Sequence, residues 1–343
     1  MKATEDFYKI GVDVSSGKKQ FLSLADLHYG VLQQMFYKGT MKKFFDYLIR
    51  NNKDATAILI PGDLLFYLTS FHDKKFLAAL INDLKDLVDK LGAPVFISYG
   101  NHDLPLNEEK LKEEEKQELD LGYYLDNRGS GIYVLDNEQV KFQDVVITGF
   151  SPRRDAYSPN AMPSCLKSVK ECFDKCNFHF SKGTINVLMS HENKFFTHPS
   201  IVSEYGDLYD YLTFIIGGHL HDGYMPIWLQ QLCKESMKDY GIWEKVPPKI
   251  NMCRGAFKVS KDSVSDVILP KQEGVFIEKE KGECISIVNR GVAKYSWFLP
   301  SRPSYTKIEV TGSFYMAEDG TYWTSEEDYK LYRQENEQEK VKK

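Results

Sequence analysis

No stretch of the 343 residues approaches the roughly 18 consecutive apolar positions that a membrane-spanning helix needs. The opening residues, Met1–Gly11, lack the apolar core of a signal peptide. The sequence therefore reads as a soluble, cytoplasmic, non-exported chain, with peripheral membrane contact left open. Cysteine is sparse: six, at 165, 172, 176, 233, 253 and 284, with no Cys-x-x-Cys pair. A chain this long does not need disulfide staples, so reduced thiols are expected. A basic excess is also missing. Lysine and arginine number 44 against 49 aspartates and glutamates, a formal charge of −5, with no clustered basic stripe, which disfavours nucleic acid as a partner. There is no internal repeat and no low-complexity tract. Nothing points to an obligatory protein partner.

What the chain does have is five short polar islands. They are Asp26-Leu27-His28, Gly62-Asp63, Gly100-Asn101-His102-Asp103, Ser190-His191 and Gly218-His219-Leu220-His221. Each follows a short apolar run: Phe21–Ala25, Thr56–Ile60, Val95–Ser98, Ile185–Met189 and Thr213–Ile216. Such runs read as buried strands, which puts every island on a loop past the C-terminal end of a strand. Open α/β sheets bind their ligands at that edge. Five of the eight histidines fall in these islands. Any one island is ordinary; five in order after five strand-like runs point to a metal site.

Along the chain, residues 1–20 are polar with scattered glycine and read as an N-terminal arm. Residues 21–325 read as one domain, and 326–343 as a charged tail. Met41, Phe44, Phe45, Leu48 and Ile49 share one helical face. A second helix carries Phe76, Leu77, Leu80, Ile81, Leu84, Leu87, Val88 and Leu91 and stops at Gly92. Strand, helix, strand, helix, strand at these spacings predicts right-handed crossovers and a mostly parallel core. Glu108–Leu121 reads as a solvated rim helix. Gly131–Leu135 and Val145–Gly149 read as a hairpin about Asp136-Asn137, and 164–177 as a helix. Val275–Glu280 and Cys284–Val288 read as a second hairpin about a Lys-Gly turn. Together with Tyr305–Val310 they suggest a second sheet of mixed strands packed on the first.

Aspartate and histidine together suit Zn, Fe or Mn, whereas an all-oxygen set would suit Mg or Ca. Asp26, His28, Asp63, Asn101, His191, His219 and His221 are more ligands than one ion can use, which fits two ions sharing a carboxylate. Such a pair, about 3.5–4 Å apart, clamps the attacking and leaving oxygens of a displacement at phosphorus. Gly62, Gly100, Gly217 and Gly218 let the backbone turn where ligands converge. Other features have plainer readings. Cys172, Cys176 and His179 form a loose metal-like trio on a segment that also reads as an ordinary amphipathic helix. His72, His179 and His198 read as structural or surface residues, with His198 close enough to His191 to rim the site. Arg153 and Arg154 sit on a loop that could reach a phosphate or simply be solvated. The aromatics between Phe314 and Tyr332 could cover a lipid or base, or pack the tail.

Asp-x-His, Gly-Asp, Gly-Asn-His-Asp, His and Gly-His-x-His, in this order over about 200 residues, resemble the calcineurin-like metallophosphoesterase superfamily. The resemblance implies a four-layer α/β/β/α sandwich of two mixed sheets flanked by helices. It implies one ion held by Asp26, His28, Asp63 and His221. A second would be held by Asp63, Asn101, His191 and His219, with Asp63 bridging. It assigns His102 to the leaving oxygen and Asp103 to holding the His102 ring. Two departures stand out: Leu64-Leu65-Phe66 stands where many members carry a further Asp or Asn that supports the ligands, and Asp222-Gly223-Tyr224 replaces the Gly-Gly-Gln of some bacterial members. Val288-Asn289-Arg290-Gly291 and Leu299-Pro300-Ser301-Arg302-Pro303 resemble the closing strands of the bacterial cell-envelope phosphodiesterase branch, whose members act on lipid-linked or nucleotide-linked phosphoesters.

The function this implies is hydrolysis of a phosphodiester or pyrophosphate by a metal-bridging hydroxide, with two divalent ions (Mn, Fe or Zn, Mn favoured). A nuclease of the same superfamily is an alternative disfavoured by the charge. A protein phosphatase would need long groove segments not recognisable here. A scaffold that has lost catalysis would be expected to lack several of these residues, and all of them are present.

Overall fold

In the computed structural model, residues 3–12, 18–29, 40–65, 74–104, 112, 120–152, 162–176, 178–180, 183–193, 196, 199–218, 255–261, 263, 265, 268–271, 273–289, 291–292, 303–312, 315–316 and 322–323 are described. The strands are β1 (Thr4–Gly11), β2 (Lys19–Ser23), β3 (Ala57–Pro61), β4 (Val95–Ser98), β5 (Ile132–Val134), β6 (Glu138–Phe142), β7 (Val145–Phe150), β8 (Ile185–Ser190), β9 (Phe214–Gly217), β10 (Gly255–Ser260), β11 (Val275–Glu278), β12 (Glu283–Val288) and β13 (Ser304–Thr311). A two-stranded ribbon, β14 (Tyr315–Met316) and β15 (Tyr322–Trp323), follows. The helices are α1 (Thr40–Asn51), α2 (Lys74–Leu91), α3 (Leu121–Leu125), α4 (Met162–Cys176) and α5 (Pro199–Tyr205).

Two mixed sheets stack face to face between helices. The first runs β11-β1-β13-β2-β3-β4-β5 and the second β10-β12-β9-β8-β7-β6. The four layers follow from the alternation within each strand. In β2, Phe21 faces the second sheet while Leu22 faces the helices; in β3, Ala57 and Leu59 face inward and Ile58 and Ile60 outward. Phe44, Phe45 and Leu48 of α1 and Leu77, Leu80, Leu84 and Leu87 of α2 cover Leu22, Ile58, Ile60, Val95 and Ile97. Between the sheets, Phe96 and Leu59 meet Ile147, Val187, Met189 and Ile216. Beyond the second sheet, Val169 and Cys172 of α4 and Ile201 and Val202 of α5 cover Leu188, Ile215 and Val259. Cys172 thus serves as a core residue of an ordinary helix, and Cys172 and Cys284 are both reduced and buried. At about 25 cal/mol per Å² of apolar surface removed from water, these three layers are the main stabilising term.

Several expectations about pairing are corrected. Residues 1–20 are not an arm: Thr4–Gly11 is a strand inside the first sheet, parallel to both β11 and β13. Its inward positions are Asp6, Tyr8 and Ile10, so a charged residue interrupts the apolar alternation that marks a buried strand. The two proposed hairpins dissolve for a related reason. β5 pairs with β4 in the first sheet, while β7 pairs with β6 and β8 in the second. The tight turn lies at Gln143-Asp144, where Gln143 has φ 55°, and Asn137, with φ 54°, carries the crossing between sheets. β11 pairs with β1 in the first sheet, whereas β12 joins β10 and β9 in the second. β13 also belongs to the first sheet, between β1 and β2. The rim helix expected over 108–121, apart from Lys112 and the start of α3, and the tail at 326–343 lie outside the described residues.

Candidate metal centre

β2, β3 and β4 are parallel neighbours in the first sheet, and β8 and β9 are parallel neighbours in the second. Their C-terminal ends meet at one edge of the sandwich. The first sheet presents Asp26, His28, Asp63, Asn101, His102 and Asp103 there, and the second presents His191. Ligand atoms of Asp26, Asp63 and His191 lie within 4.8 Å of one another, and all three side chains are buried. His191 Nε2 stands 3.1 Å from Asp63 Oδ2 and 3.1 Å from Asn101 Oδ1. His28 Nε2 stands 3.7 Å from the same Asp63 oxygen and 3.9 Å from Asp26 Oδ1. Asp63 is therefore the common member of two groups: Asp26, His28 and Asp63 on one side, Asp63, Asn101 and His191 on the other.

His219 and His221 lie outside the described residues. Gly218, the last described residue before them, lies beside Asp26 and His191. Gly218 donates its N–H to the His191 carbonyl at 3.0 Å, and a Cβ at Gly218 would lie 2.8 Å from Asp26 Oδ2. His72, His198, Arg153 and Arg154 are also outside the described residues, and His179 is exposed.

The local backbone is bent to bring these groups together. Asp26, His28 and Asp63 have φ of 56°, 46° and 56°. A non-glycine residue in this left-handed region costs about 1–2 kcal/mol. Three such residues among the candidate ligands, and two elsewhere in the described chain (Asn137 and Gln143), mark strain kept where side chains must converge. The parallel loops are tied rung by rung, with Asp26 N–H on Gly62 O, His28 N–H on Asp63 O and Tyr29 N–H on Leu64 O. Gly100 serves close approach rather than turning: a Cβ there would sit 2.2 Å from Asp63 Oδ1 and 2.5 Å from Asp63 N.

The donor set fits divalent cations. Asp63 Oδ1 accepts the main-chain N–H of His102 at 2.9 Å, while Oδ2, fully buried, accepts no hydrogen bond. That oxygen faces two imidazole nitrogens. His191 Nδ1 donates to the Pro61 carbonyl at 2.9 Å, which leaves Nε2 as the nitrogen directed at Asp63. Burial opposes ionisation of Asp63, but His191, His28 and His102 outweigh it and hold the carboxyl well below the usual carboxylate range. Burial likewise disfavours charge on His191, and Asp63 overcomes it, raising the imidazole to about 10. Two buried carboxylates this close require positive charge between them.

His102 is half-buried, its ring edge-on to His28 with centroids 5.0 Å apart and an interplanar angle of 87°. The resemblance assigns Asp103 to this ring, and the structure shows its carboxylate bonded to main-chain N–H groups as well. Oδ2 accepts the N–H groups of Asp63 at 2.6 Å and Gly100 at 2.9 Å; Oδ1 accepts those of Leu64 at 2.8 Å and Leu65 at 3.2 Å. Asp103 clamps the loop that carries Asp63. Burial and the charge of Asp63 push its carboxyl up to about 7, against the pull of the N–H bonds from Gly100 and Leu65. Sequence reasoning also passed over Tyr99, Asp120 and Ser151, which brace the Gly100–Asp103 loop. The available signal was a tyrosine, apolar in body and polar at its tip, closing a buried strand.

Residues 19–223 match the family described as calcineurin-like phosphoesterase, a span that contains every residue assigned to the site. No curated protein matches the chain in sequence. Among solved structures, a dimetal phosphatase from Danio rerio is 13% identical, with 88% of this chain and 93% of that one covered and a TM-score of 0.37. A phosphopantetheinyl hydrolase from Mycobacterium tuberculosis is 12% identical, covering 60% and 84% of the two chains, with a TM-score of 0.34. GAP50, the anchor in the inner membrane complex of Plasmodium, is 12% identical, covering 79% and 81%, with a TM-score of 0.30.

Proposed function

The chain belongs to the calcineurin-like phosphoesterase family and is a metal-dependent hydrolase of phosphoesters; from that premise we propose that it cleaves a phosphodiester or pyrophosphate bond in a small-molecule, nucleotide-linked or lipid-linked substrate, using two divalent cations, manganese favoured. The observation that carries this reading is the convergence of Asp26, His28, Asn101 and His191 on the two sides of Asp63. Asp26, His28, Asp63 and His221 would hold one cation, and Asp63, Asn101, His191 and His219 the other. When bound, the pair supplies an activated water and neutralises charge on the phosphoryl oxygens.

The chain's own residues do the rest. Pro61 keeps His191 in the liganding tautomer, and Asp103 keeps Asp63 in place. His102 stabilises or protonates the departing oxygen, and its main chain is fixed by the Asp63 carboxylate. The diester preference draws on the Val288–Gly291 block. Asn289 donates from Nδ2 to Ser23 Oγ at 2.6 Å, and Val292 donates to the Ala25 carbonyl, which places this block directly behind Asp26. No helix among the described residues is long and apolar enough to cross a membrane; a cytoplasmic setting is part of the same reading.

The test is a hydrolysis panel of nucleotide-sugars, lipid phosphodiesters, cyclic nucleotides and DNA, with Mn²⁺. A diester or pyrophosphate should be cleaved, with activity lost to chelator and restored by Mn²⁺. His102→Ala should lower turnover by roughly 10²–10⁴-fold while the metals stay bound. An unchanged rate would remove His102 from the mechanism. Cleavage of single-stranded DNA that falls steeply with salt would favour the nuclease reading. A metal-free, inert protein would favour the scaffold.

A further inference from the structure

Tyr99 follows the last residue of β4 and immediately precedes Gly100-Asn101-His102. It is buried. Its main-chain N–H donates to Ser151 Oγ at 3.0 Å. Ser151 is in turn clasped by Asn137, donating its N–H to Oδ1 and accepting Nδ2 at its carbonyl, both at 3.1 Å. At the far end of the side chain, the hydroxyl donates to Asp120 Oδ1 at 2.7 Å and accepts the Gly122 N–H at 2.6 Å. Asp120 is the N-cap of α3, its side chain accepting from Gly122 N.

One residue therefore ties two layers together, its backbone bonded to the loop leaving β7 and its hydroxyl bonded to the outer helical layer. Gly122 gives a second, independent sign that the hydroxyl is accommodated deliberately. It is the second residue of the five-residue α3, and a Cβ there would stand 2.6 Å from the Tyr99 oxygen. Alanine has the higher helix propensity, so the glycine favours the contact at a cost in local helix stability. The neighbouring loop repeats the device. Tyr29, next to His28, donates its hydroxyl to Asp83 Oδ2 on α2 at 2.6 Å. Filling the core asks only for the ring, which phenylalanine would supply equally well.

We infer that Tyr99, through its hydrogen bond to Asp120, is a positioning residue that sets the placement of Asn101 and His102 against the metal centre. The inference rests on the two-cation hydrolase reading of that centre. A partner that orients a liganding or reacting group affects function well beyond its share of stability, because reacting groups tolerate little displacement.

The experiment compares the full-length parent with Tyr99→Phe, Asp120→Ala, their double variant, Asp120→Asn and Gly122→Ala. It measures Mn²⁺ affinity without substrate and steady-state hydrolysis of a generic chromogenic phosphodiester. Tyr99→Phe and Asp120→Ala are each expected to weaken binding of one Mn²⁺ or lower kcat by about 10–100-fold, with KM nearly unchanged. The double variant should be no worse than either single change, since both remove one interaction. Asp120→Asn retains an acceptor oxygen and should stay within about threefold of the parent. Gly122→Ala should lose function despite its better helix propensity. Tyr99→Phe with kcat and Mn²⁺ affinity within about twofold of the parent would overturn the inference while leaving the hydrolase reading intact. A loss that only tracks the folded fraction would do the same. A parent that neither binds Mn²⁺ nor hydrolyses any phosphoester would overturn both.

Discussion

Replacing Asp103 separates two roles for a residue that lies beside His102 in sequence. In the structure Asp103 is 2% exposed, and its carboxylate accepts four main-chain N–H groups, from Asp63, Leu64, Leu65 and Gly100. Hydrogen bonds to a charged group each contribute about 1.5–3 kcal/mol, and summing four would overstate the effect because they share one anion. Leaving buried main-chain N–H groups without an acceptor costs about 1–3 kcal/mol for each that water cannot reach, so a loss of several kcal/mol is the expectation for Asp103→Ala. Asp103→Asn keeps the shape and one acceptor oxygen but turns an NH₂ toward two N–H donors, so about 2–4 kcal/mol is expected. Domains of ordinary stability, about 5–15 kcal/mol, would survive the second change and be marginal after the first.

The assay is urea denaturation with chelator present, so that metal binding does not contribute to the measured stability. A shift in midpoint at constant slope reads the stability change directly. Activity and Mn²⁺ stoichiometry are then measured on the folded protein. The clamp role requires a stability loss together with weaker metal binding, because Asp63 is what the clamp holds. If Asp103→Asn stays within about 0.5 kcal/mol of the parent while turnover collapses, the carboxylate acts on the His102 ring instead and the clamp reasoning is refuted.

Gly100→Ala places a methyl 2.2 Å from Asp63 Oδ1, so it should destabilise by about 1–3 kcal/mol and lower metal affinity, read by thermal melts with and without Mn²⁺. Normal melts and normal metal binding would show that the loops have room. Deleting residues 1–12 removes a strand held on both sides, together with buried Tyr8 and Ile10. Loss of each large side chain from a core costs about 2–5 kcal/mol, so the truncated protein should be unfolded by circular dichroism. A cooperative, native-like melt would restore the view of these residues as an arm.

The islands were legible because each is contiguous and follows a short apolar run. β4 begins and ends where its run does, and the other delivering strands shift by one or two residues. The partners of strands were not legible. Alternation tells which face a residue takes but not which strand lies beside it, so β11 and β12 looked like a hairpin although they lie in different sheets. Missing β1, whose inward Asp6 breaks the pattern, left β11 and β13 without their true neighbour. At the site, residue identity suggested ligands but not backbone conformation. The left-handed φ of Asp26, His28 and Asp63 has no signature in those side chains. The direction of the Asp103 carboxylate depends on N–H groups some 40 residues away, at 63–65. Local sequence cannot supply that.

Metal stoichiometry of Asp63→Asn tests the shared-carboxylate claim most directly. The amide oxygen can keep the 2.9 Å bond from His102 N–H, leaving the NH₂ where Oδ2 faced His191 and His28, so the fold should persist while the oxygen common to both groups is gone. The account predicts that the folded variant, equilibrated with Mn²⁺ and desalted, retains neither ion where the parent retains two. Two tightly held ions in the variant would contradict it.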